Sequence, residues 1–274
     1  MKRSFPVLVL ILTIAVLTDC KCRIPTENRD DFSLYYDQYH VKGSFTMYDP
    51  QANKFIFYKL DQSNQPFIPA STFKICNSLI GLETGVIPDE NFVIPWDSIS
   101  RNNLWDQDQD LKSAFKNSTV WYYQELARRV GGEQMKHWID TTFYGNADTS
   151  GGIDQFWLTG SLRITPMEQI NFLQRLHDDR LPFSQRSMDI VKNIMIAKDT
   201  LDYIVRAKTG WGIQGNENIG WYVGYLEKQD KVYYFANCIQ ADTNAMRDVQ
   251  LRSEFDLARR EIVYKILDKL HLIP

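Results

Sequence analysis

The order in which strand-type and helical patterns follow one another limits the fold of this chain more than any other feature. Residues 43–60 alternate apolar and polar side chains on both sides of a turn at 49–53, as a β-hairpin does. Amphipathic helical stretches fill residues of about 100–200, and strand patterns return before a helical last segment at 253–274. This order predicts an α+β fold, in which an antiparallel sheet flanked by helices carries an inserted helical lobe.

The length and composition fit one globular domain. A chain of 274 residues can bury a sizeable core, and 44% apolar with 24% charged residues is ordinary for a folded protein. The formal net charge of −3, with no basic run past the N-terminus, does not favour nucleic acid as a partner. No repeat or low-complexity linker divides residues 21–274, so they are predicted to form a single domain.

Residues 1–20, MKRSFPVLVLILTIAVLTDC, have the pattern of a secretory signal peptide. A basic start precedes an apolar stretch at 5–17, which is shorter than the ~20 residues of a transmembrane helix. We therefore expect a periplasmic or secreted protein with no membrane span in the mature chain. Cys20 stands where a bacterial lipoprotein carries its lipid, although Asp19 is a poor residue before such a cysteine. A lipid-anchored mature chain is therefore the second interpretation.

The cysteines and histidines do not form a metal-binding pattern. Cys20 and Cys22 lie at the edge of the signal, whereas Cys76 and Cys238 fall in apolar stretches, as small buried hydrophobes do. Export would permit a disulfide between these last two cysteines, and the sequence leaves that pairing open. The four histidines are scattered and lack an H-E-x-x-H motif, so no metal is expected.

The stretch PASTFK places a lysine one helical turn after a serine. Ser71 and Lys74 share a face of a helix predicted over 71–83, because side chains at i and i+3 lie about 5–6 Å apart. A lysine in an apolar pocket has a lowered pKa, and its neutral amine could take the serine proton. In the ordinary alternative, Ser71 caps the helix and Lys74 is a surface residue. A second S-x-x-K at 113–116 shows that the spacing also arises by chance.

A K-T-G motif at 208–210 lies on an apolar strand and is followed by Trp211. Beside a serine nucleophile, such a strand edge can offer backbone N–H groups to an oxyanion and a hydroxyl to a substrate carboxylate. Gly210 would let the substrate approach the strand closely. The ordinary alternative is a turn at the end of the strand.

Three further motifs have ordinary structural explanations when each is taken alone. Ser118-Thr119-Val120 opens a helical stretch, where the serine either caps the helix or relays protons. Tyr144-Gly145-Asn146 is typical of a turn, and Phe156-Trp157-Leu158 is typical of a core segment.

The joint presence of these motifs in this order resembles a known family. A serine with a lysine at the third position after it, then a serine triplet and K-T-G, is the pattern of active-serine penicillin-recognising enzymes. PASTFKICNSLIGLETGVI, YGN, QFWLTGSLRITPMEQ and KTGWG closely resemble class D β-lactamases, the oxacillinase family, from about residue 40 to the C-terminus. The resemblance implies a β-lactamase/DD-peptidase-like fold. It also implies hydrolysis of small-molecule penicillin-type antibiotics through a serine acyl-enzyme, which confers resistance.

The resemblance also implies a role for each matching residue. Ser71 corresponds to the nucleophile, and Lys74 to a lysine that reacts with CO2 to form a carbamate, the general base. Trp157 would donate its indole N–H to that carbamate, because a buried charge needs a donor. Ser118 and Lys208 would relay a proton to the leaving nitrogen. The residues that match the lining of the lysine pocket are Phe73, Val120, Trp157 and Leu158.

On the substrate side, the resemblance implies an oxyanion hole made of the backbone N–H groups of Ser71 and Trp211. Thr209 and an arginine of the C-terminal helix would hold the substrate carboxylate, since arginine pairs with a carboxylate through two hydrogen bonds. Arg259 fits the Arg-x-x-Ile spacing of the family better than Arg252 or Arg260. The chain departs from many relatives at Cys76, where they have proline.

Two other kinds of protein carry similar motifs. A penicillin-sensing domain of a membrane receptor is acylated without turnover, and a cell-wall DD-peptidase shares S-x-x-K and K-T-G. The chain shows one short hydrophobic segment and no room for a multi-span module, which disfavours the sensor. The expected Trp157 pocket and the Y-G-N turn favour hydrolysis over both.

Overall fold

The computed structural model describes residues 24–101 and 104–274, so the predicted signal peptide and Cys20 lie outside the described residues. Within them, seven strands form one sheet in the order β1-β3-β2-β7-β6-β5-β4. The strands are β1 Thr26–Asn28, β2 Lys42–Asp49, β3 Lys54–Tyr58, β4 Ile196–Asp199, β5 Ile204–Gln214, β6 Glu217–Lys228 and β7 Lys231–Asp242.

The pairing of the strands confirms the predicted sheet, with one difference at its edge. The hairpin of β2 and β3 and the run from β4 to β7 are antiparallel, whereas β1 pairs with β3 in parallel. The three residues of β1 are all polar and have no alternating pattern. Their pairing rests on backbone hydrogen bonds, which a side-chain pattern does not reveal.

Helices occupy the predicted middle and end of the chain. In the described residues they are α1 Ser33–Gln38, α2 Lys74–Glu83, α3 Leu111–Asn117, α4 Val120–Val130, α5 Gly132–Thr142, α6 Pro166–His177, α7 Gln185–Ile194 and α8 Val249–Lys269. Local chemistry sets their ends: Thr165 and Glu168 form a capping box at the start of α6, with Pro166 at its first position. Among these residues, no helix is both long and apolar enough to cross a membrane.

The sheet is buried on both faces. On β6, Trp221, Val223 and Tyr225 point into the core shared with the helical lobe, whereas Tyr222 and Leu226 point toward α1 and α8. Successive side chains of a strand point to opposite faces, so one strand contributes to two cores. The helical lobe, α2 to α7, therefore covers one face, and the terminal helices cover the other.

The site is located where strand β5 leaves its partner β4. Pairing with β4 stops at Arg206, and from Lys208 to Gln214 the strand pairs with β6 on one side only. A short 3-10 turn, Ala70–Phe73, which we call the serine turn, lies against this free part of β5 and leads into α2. The sheet edge and the start of α2 thus meet at one place.

Candidate active site

The serine turn presents Ser71 to the first residue of α2. The helix expected to start at Ser71 begins instead as a 3-10 turn, and α2 starts at Lys74. Ala70 has a positive φ of 46°, a strained conformation for a residue with a side chain. Lys74 Nζ lies 2.8 Å from Ser71 Oγ. The two side chains predicted to share a helix face therefore form a hydrogen-bonded pair.

Lys74 is fully buried, which contradicts the alternative of a surface lysine. Its ammonium lies 5.1 Å from the centre of the Tyr123 ring, and no carboxylate pairs with it in the described part of the chain. Burial disfavours the charged amine and lowers the pKa of Lys74 from 10.5 to about 7. A large fraction of the amine is therefore neutral at physiological pH, as a proton acceptor for Ser71 must be.

The second S-x-x-K copy has a purely local explanation. Ser113 is the third residue of α3 and forms a capping box with Asp110, while Lys116 is exposed. Ser71, in contrast, does not cap a helix through its side chain. The same spacing thus produces a helix start in one case and a buried pair in the other.

Ser118 and Lys208 come together from different elements. Ser118 was expected to open a helix, but it closes α3 in the left-handed conformation with φ of 57°. Lys208 Nζ donates to Ser118 Oγ at 3.0 Å and lies 3.3 Å from Thr209 Oγ1. Burial first, and then the nearby charges of Lys74 and Arg259, lower the pKa of Lys208 well below its ordinary value. The arrangement links a low-pKa amine to a hydroxyl, as a proton relay requires.

The free part of β5 packs closely against the serine turn. A Cβ added to Gly210 would lie 3.0 Å from the Pro69 carbonyl oxygen and 3.1 Å from Thr72 Cγ2. Only glycine avoids these contacts without a shift of the turn. A Cβ added to Gly212 would likewise lie 3.1 Å from Ala70 Cβ, so the strand runs alongside the serine turn on both sides of Trp211.

An aromatic pocket surrounds the start of α2. The ring of Phe73 lies 5.4 Å from Tyr144, 5.1 Å from Phe156 and 5.4 Å from Trp157, measured between ring centres. Trp157 is fully buried, and its indole N–H has no hydrogen-bond partner among the described residues. A buried N–H without an acceptor costs free energy unless a further group meets it. Two other predicted lining residues, Val120 and Leu158, are partly buried and adjoin Ser118 and Trp157 in the chain.

The Y-G-N turn anchors the segment that carries Trp157. Gly145 has φ of 54°, and a Cβ there would lie 2.0 Å from the carbonyl oxygen of Arg163. Asn146 accepts a hydrogen bond from the N–H of Arg163 and donates to the carbonyl oxygen of Ser161. The turn therefore ties the loop after α5 to the chain just beyond Trp157.

The three candidate arginines all lie near the free part of β5. Arg259 is 8% exposed, donates to the Gly210 carbonyl oxygen at 3.1 Å and lies 5.3 Å from the centre of the Trp211 ring. Arg252 is exposed and lies 5.7 Å from that ring, and the exposed Arg260 borders the cleft beside Lys208. Burial and Arg260 lower the pKa of Arg259 to about 10, which still leaves it charged at neutral pH.

A cleft of about 840 Å³ opens beside Lys208, Thr209 and Arg260. That volume suits a small molecule.

Cys76 and Cys238, whose pairing was left open, are both free and buried. Sequence reasoning missed Asp256, which forms an ion pair with Arg259. The i, i+3 spacing on the predicted C-terminal helix was the signal that could have found it.

The fold and the serine–lysine site define an active-serine penicillin-recognising protein. Residues 38–268 match the family model described as the penicillin binding protein transpeptidase domain. β-Lactamase OXA-48 of Klebsiella pneumoniae is 41% identical over 211 residues, which cover 77% of this chain and 79% of that protein. A crystal structure of a class D β-lactamase, YbXI from Nostoc, has a TM-score of 0.82 and 44% identity, and covers 88% of this chain and 99% of that one.

The chain therefore belongs to the class D β-lactamases, which are serine hydrolases within the penicillin-binding protein transpeptidase family. A third relative is of another kind. The regulatory protein BlaR1 of Bacillus licheniformis is 34% identical over 247 residues, which cover 89% of this chain but 39% of BlaR1. This chain thus corresponds to less than half of BlaR1. Because of this resemblance, a penicillin sensor remains the alternative function.

Proposed function

We propose that this protein hydrolyses the β-lactam amide of penicillin-type antibiotics through an acyl-enzyme on Ser71, with a CO2-derived carbamate on Lys74 as the general base. One observation carries the proposal. The amine of Lys74 is buried, has a pKa near 7 and lies 2.8 Å from the hydroxyl of Ser71.

The residues around Lys74 fit the proposed carbamate. A neutral amine is the form that attacks CO2, and the lowered pKa supplies that form at neutral pH. The buried indole N–H of Trp157, which has no hydrogen-bond partner in the described part of the chain, is a donor of the kind that a new anion in this pocket would need. When present, the carbamate would supply an anionic general base near Ser71 for acylation and for release of the acyl group.

The remaining site residues either transfer a proton or bind the substrate. In the proposal, Ser71 attacks the lactam carbonyl, whose oxygen then lies between the backbone N–H groups of Ser71 and Trp211. Lys208 passes a proton through Ser118 to the leaving nitrogen, along the 3.0 Å contact that already joins them. Thr209 and Arg259 hold the substrate carboxylate beside the free part of β5.

The second candidate function is a sensor that is acylated without turnover. The match to BlaR1 favours it as an alternative, because it covers most of this chain at an identity comparable to some of the β-lactamases. The two functions differ in one measurable step, the release of the acyl group.

Penicillin hydrolysis by the purified mature chain, in CO2-depleted buffer and again after addition of bicarbonate, tests the proposal. Turnover that rises with bicarbonate supports it, and Ser71→Ala serves as the inactive control. A stable acyl adduct on Ser71 without turnover at any bicarbonate concentration indicates the sensor. Steady turnover that does not change with bicarbonate supports a hydrolase and refutes the proposed carbamate.

The proposed location is the periplasm or the cell exterior, with a lipid anchor at Cys20 as the alternative. The support is the signal pattern of residues 1–20, with an apolar stretch bounded by Lys2, Arg3 and the cysteine. Expression of the full chain and of a Cys20→Ser variant, followed by cell fractionation, separates the two. Membrane retention that the substitution abolishes indicates a lipid anchor, and recovery of both proteins in the cytoplasm refutes export.

A further inference from the structure

The guanidinium of Arg259 is already engaged by oxygens of the chain itself. Its Nη1 donates to the Gly210 carbonyl oxygen at 3.1 Å, and its Nε donates to the Asp256 carbonyl oxygen at 3.1 Å. Its Nη2 forms an ion pair with the Asp256 carboxylate. Since arginine has five N–H donors, three are used before any substrate arrives.

Asp256 is placed to compete for this guanidinium. It lies one turn before Arg259 in α8, so the two side chains share a face of the helix. Its side chain is about half exposed, at 48%, whereas that of Arg259 is 9% exposed. A negative charge therefore stands at the solvent side of the one largely buried arginine of the predicted carboxylate site.

We propose that Asp256 is a specificity-determining residue, which weakens the hold of Arg259 on the substrate carboxylate and so reduces the preference for acidic β-lactams. The inference rests on the proposed role of Arg259. A substrate carboxylate near Arg259 has to share its donors with Asp256 and meets a like charge across the guanidinium. A β-lactam whose carboxylate is esterified meets neither effect.

The opposite role of Asp256 would be to align Arg259 for the substrate. The two roles predict opposite signs for removal of the charge. If Asp256 competes, Asp256→Asn frees a donor edge and lowers KM for an acidic penicillin about fivefold, the upper end of what a half-exposed ion pair contributes. If it aligns Arg259, the same substitution raises KM.

The experiment compares a penicillin with its methyl ester. The measured quantity is the ratio of kcat/KM for the acid to that for the ester, in wild type, Asp256→Asn and Asp256→Ser. Both variants should raise the ratio about fivefold through KM for the acid, with kcat little changed. Glu254→Gln, which removes a neighbouring charge of α8, is the matched control and should leave the ratio unchanged. A ratio that stays constant or falls in both Asp256 variants overturns the proposal.

Variants of the three arginines separate this inference from the proposed function. Arg259→Ala should lower the ratio, whereas Arg252→Ala and Arg260→Ala should change it little. If Arg259→Ala leaves the ratio unchanged, the proposed role of Arg259 fails and the inference fails with it. If Arg259→Ala lowers the ratio but the Asp256 variants do not raise it, the role of Arg259 stands and the competition by Asp256 is refuted.

Discussion

The buried amine of Lys74 should make the stability of this protein depend on pH, and Lys74→Met should remove that dependence. Methionine has a similar length and no charge, so it can fill the same apolar pocket with little change in volume. The pKa of Lys74 is about 7 in the folded protein, against 10.5 for an ordinary lysine. The cost of a buried ammonium is therefore part of the free energy of folding.

The sign of the effect follows from where the proton binds. Below pH 7 both states are protonated and the full cost is present, whereas between pH 7 and 10.5 the unfolded chain binds more protons than the folded one. Stability rises with pH in that window. Each pH unit adds about 1.4 kcal/mol, so wild type should gain about 2–3 kcal/mol between pH 7 and 9 from this group. At pH 7 the variant should be the more stable protein by about 3–4 kcal/mol, after loss of the Ser71 hydrogen bond.

Urea unfolding at pH 6, 7, 8 and 9 in CO2-free buffer measures this difference. The free energy of unfolding of wild type should approach that of Lys74→Met as pH rises, and hydrolysis should be lost in the variant. Lys208 remains in both proteins, and the difference between the two curves reports the charge of Lys74 together with its repulsion of Lys208. The exposed Lys116→Met should run parallel to wild type. Parallel curves for wild type and Lys74→Met, or a less stable variant at pH 7, would refute the reasoning.

Three further substitutions test the pocket, the turn and the position of β5. Trp157→Phe keeps the ring but removes the N–H, so hydrolysis should fall at least tenfold, most at low bicarbonate, in steady-state assays. Gly145→Ala should cost at least 2 kcal/mol in urea unfolding, because its Cβ meets the Arg163 carbonyl at 2.0 Å. Gln214→Met removes the acceptor of the Ile68 N–H, 2.8 Å away, and should slow acylation several-fold in stopped-flow measurements.

Each of these substitutions has a matched control. Trp138→Phe alters a tryptophan stacked on Phe183 and should leave the response to bicarbonate intact. Gly85→Ala changes a glycine with positive φ but open space around its Cβ, so it should cost about 1 kcal/mol. Gln65→Met alters an exposed glutamine and should leave acylation unchanged. Equal effects in a test variant and its control would contradict the assigned cause.

The elements of the fold could be predicted from the sequence because their signals are local. The alternation at 43–60 and the helical spacing after Ser71 depend on nearest neighbours in the chain, and both elements are present. The parallel pairing of β1 depends instead on contacts far along the sequence, and the left-handed conformation of Ser118 belongs to a helix end that a serine does not signal. A serine in that conformation is strained and persists only because the surrounding structure enforces it.

In the candidate site, too, local signals could be predicted from the sequence and the effects of packing could not. Helical spacing indicated that Ser71 and Lys74 share a face but did not distinguish them from Ser113 and Lys116, and only the order of the motifs associated them with the 208–210 strand. The burial that lowers the pKa of Lys74 is a property of the packed aromatic pocket, so the sequence could suggest it only through resemblance. Asp256 was missed because an acidic residue on an exposed helix face is ordinary until its partner is known to be buried.

Two buried lysines make the proton content of this site depend on what enters it. Burial first, and then the charges of Lys74 and Arg259, lower the pKa of Lys208. Neither lysine has a carboxylate partner among residues 24–101 and 104–274. A substrate carboxylate held near Thr209 would favour the charged form of Lys208, since an opposite charge within about 4–6 Å raises the pKa of an amine. The same binding event would then supply the proton that Ser118 passes to the leaving nitrogen. On this argument, a β-lactam without a carboxylate loses both an anchor and a proton donor, so its kcat should fall as well as its affinity.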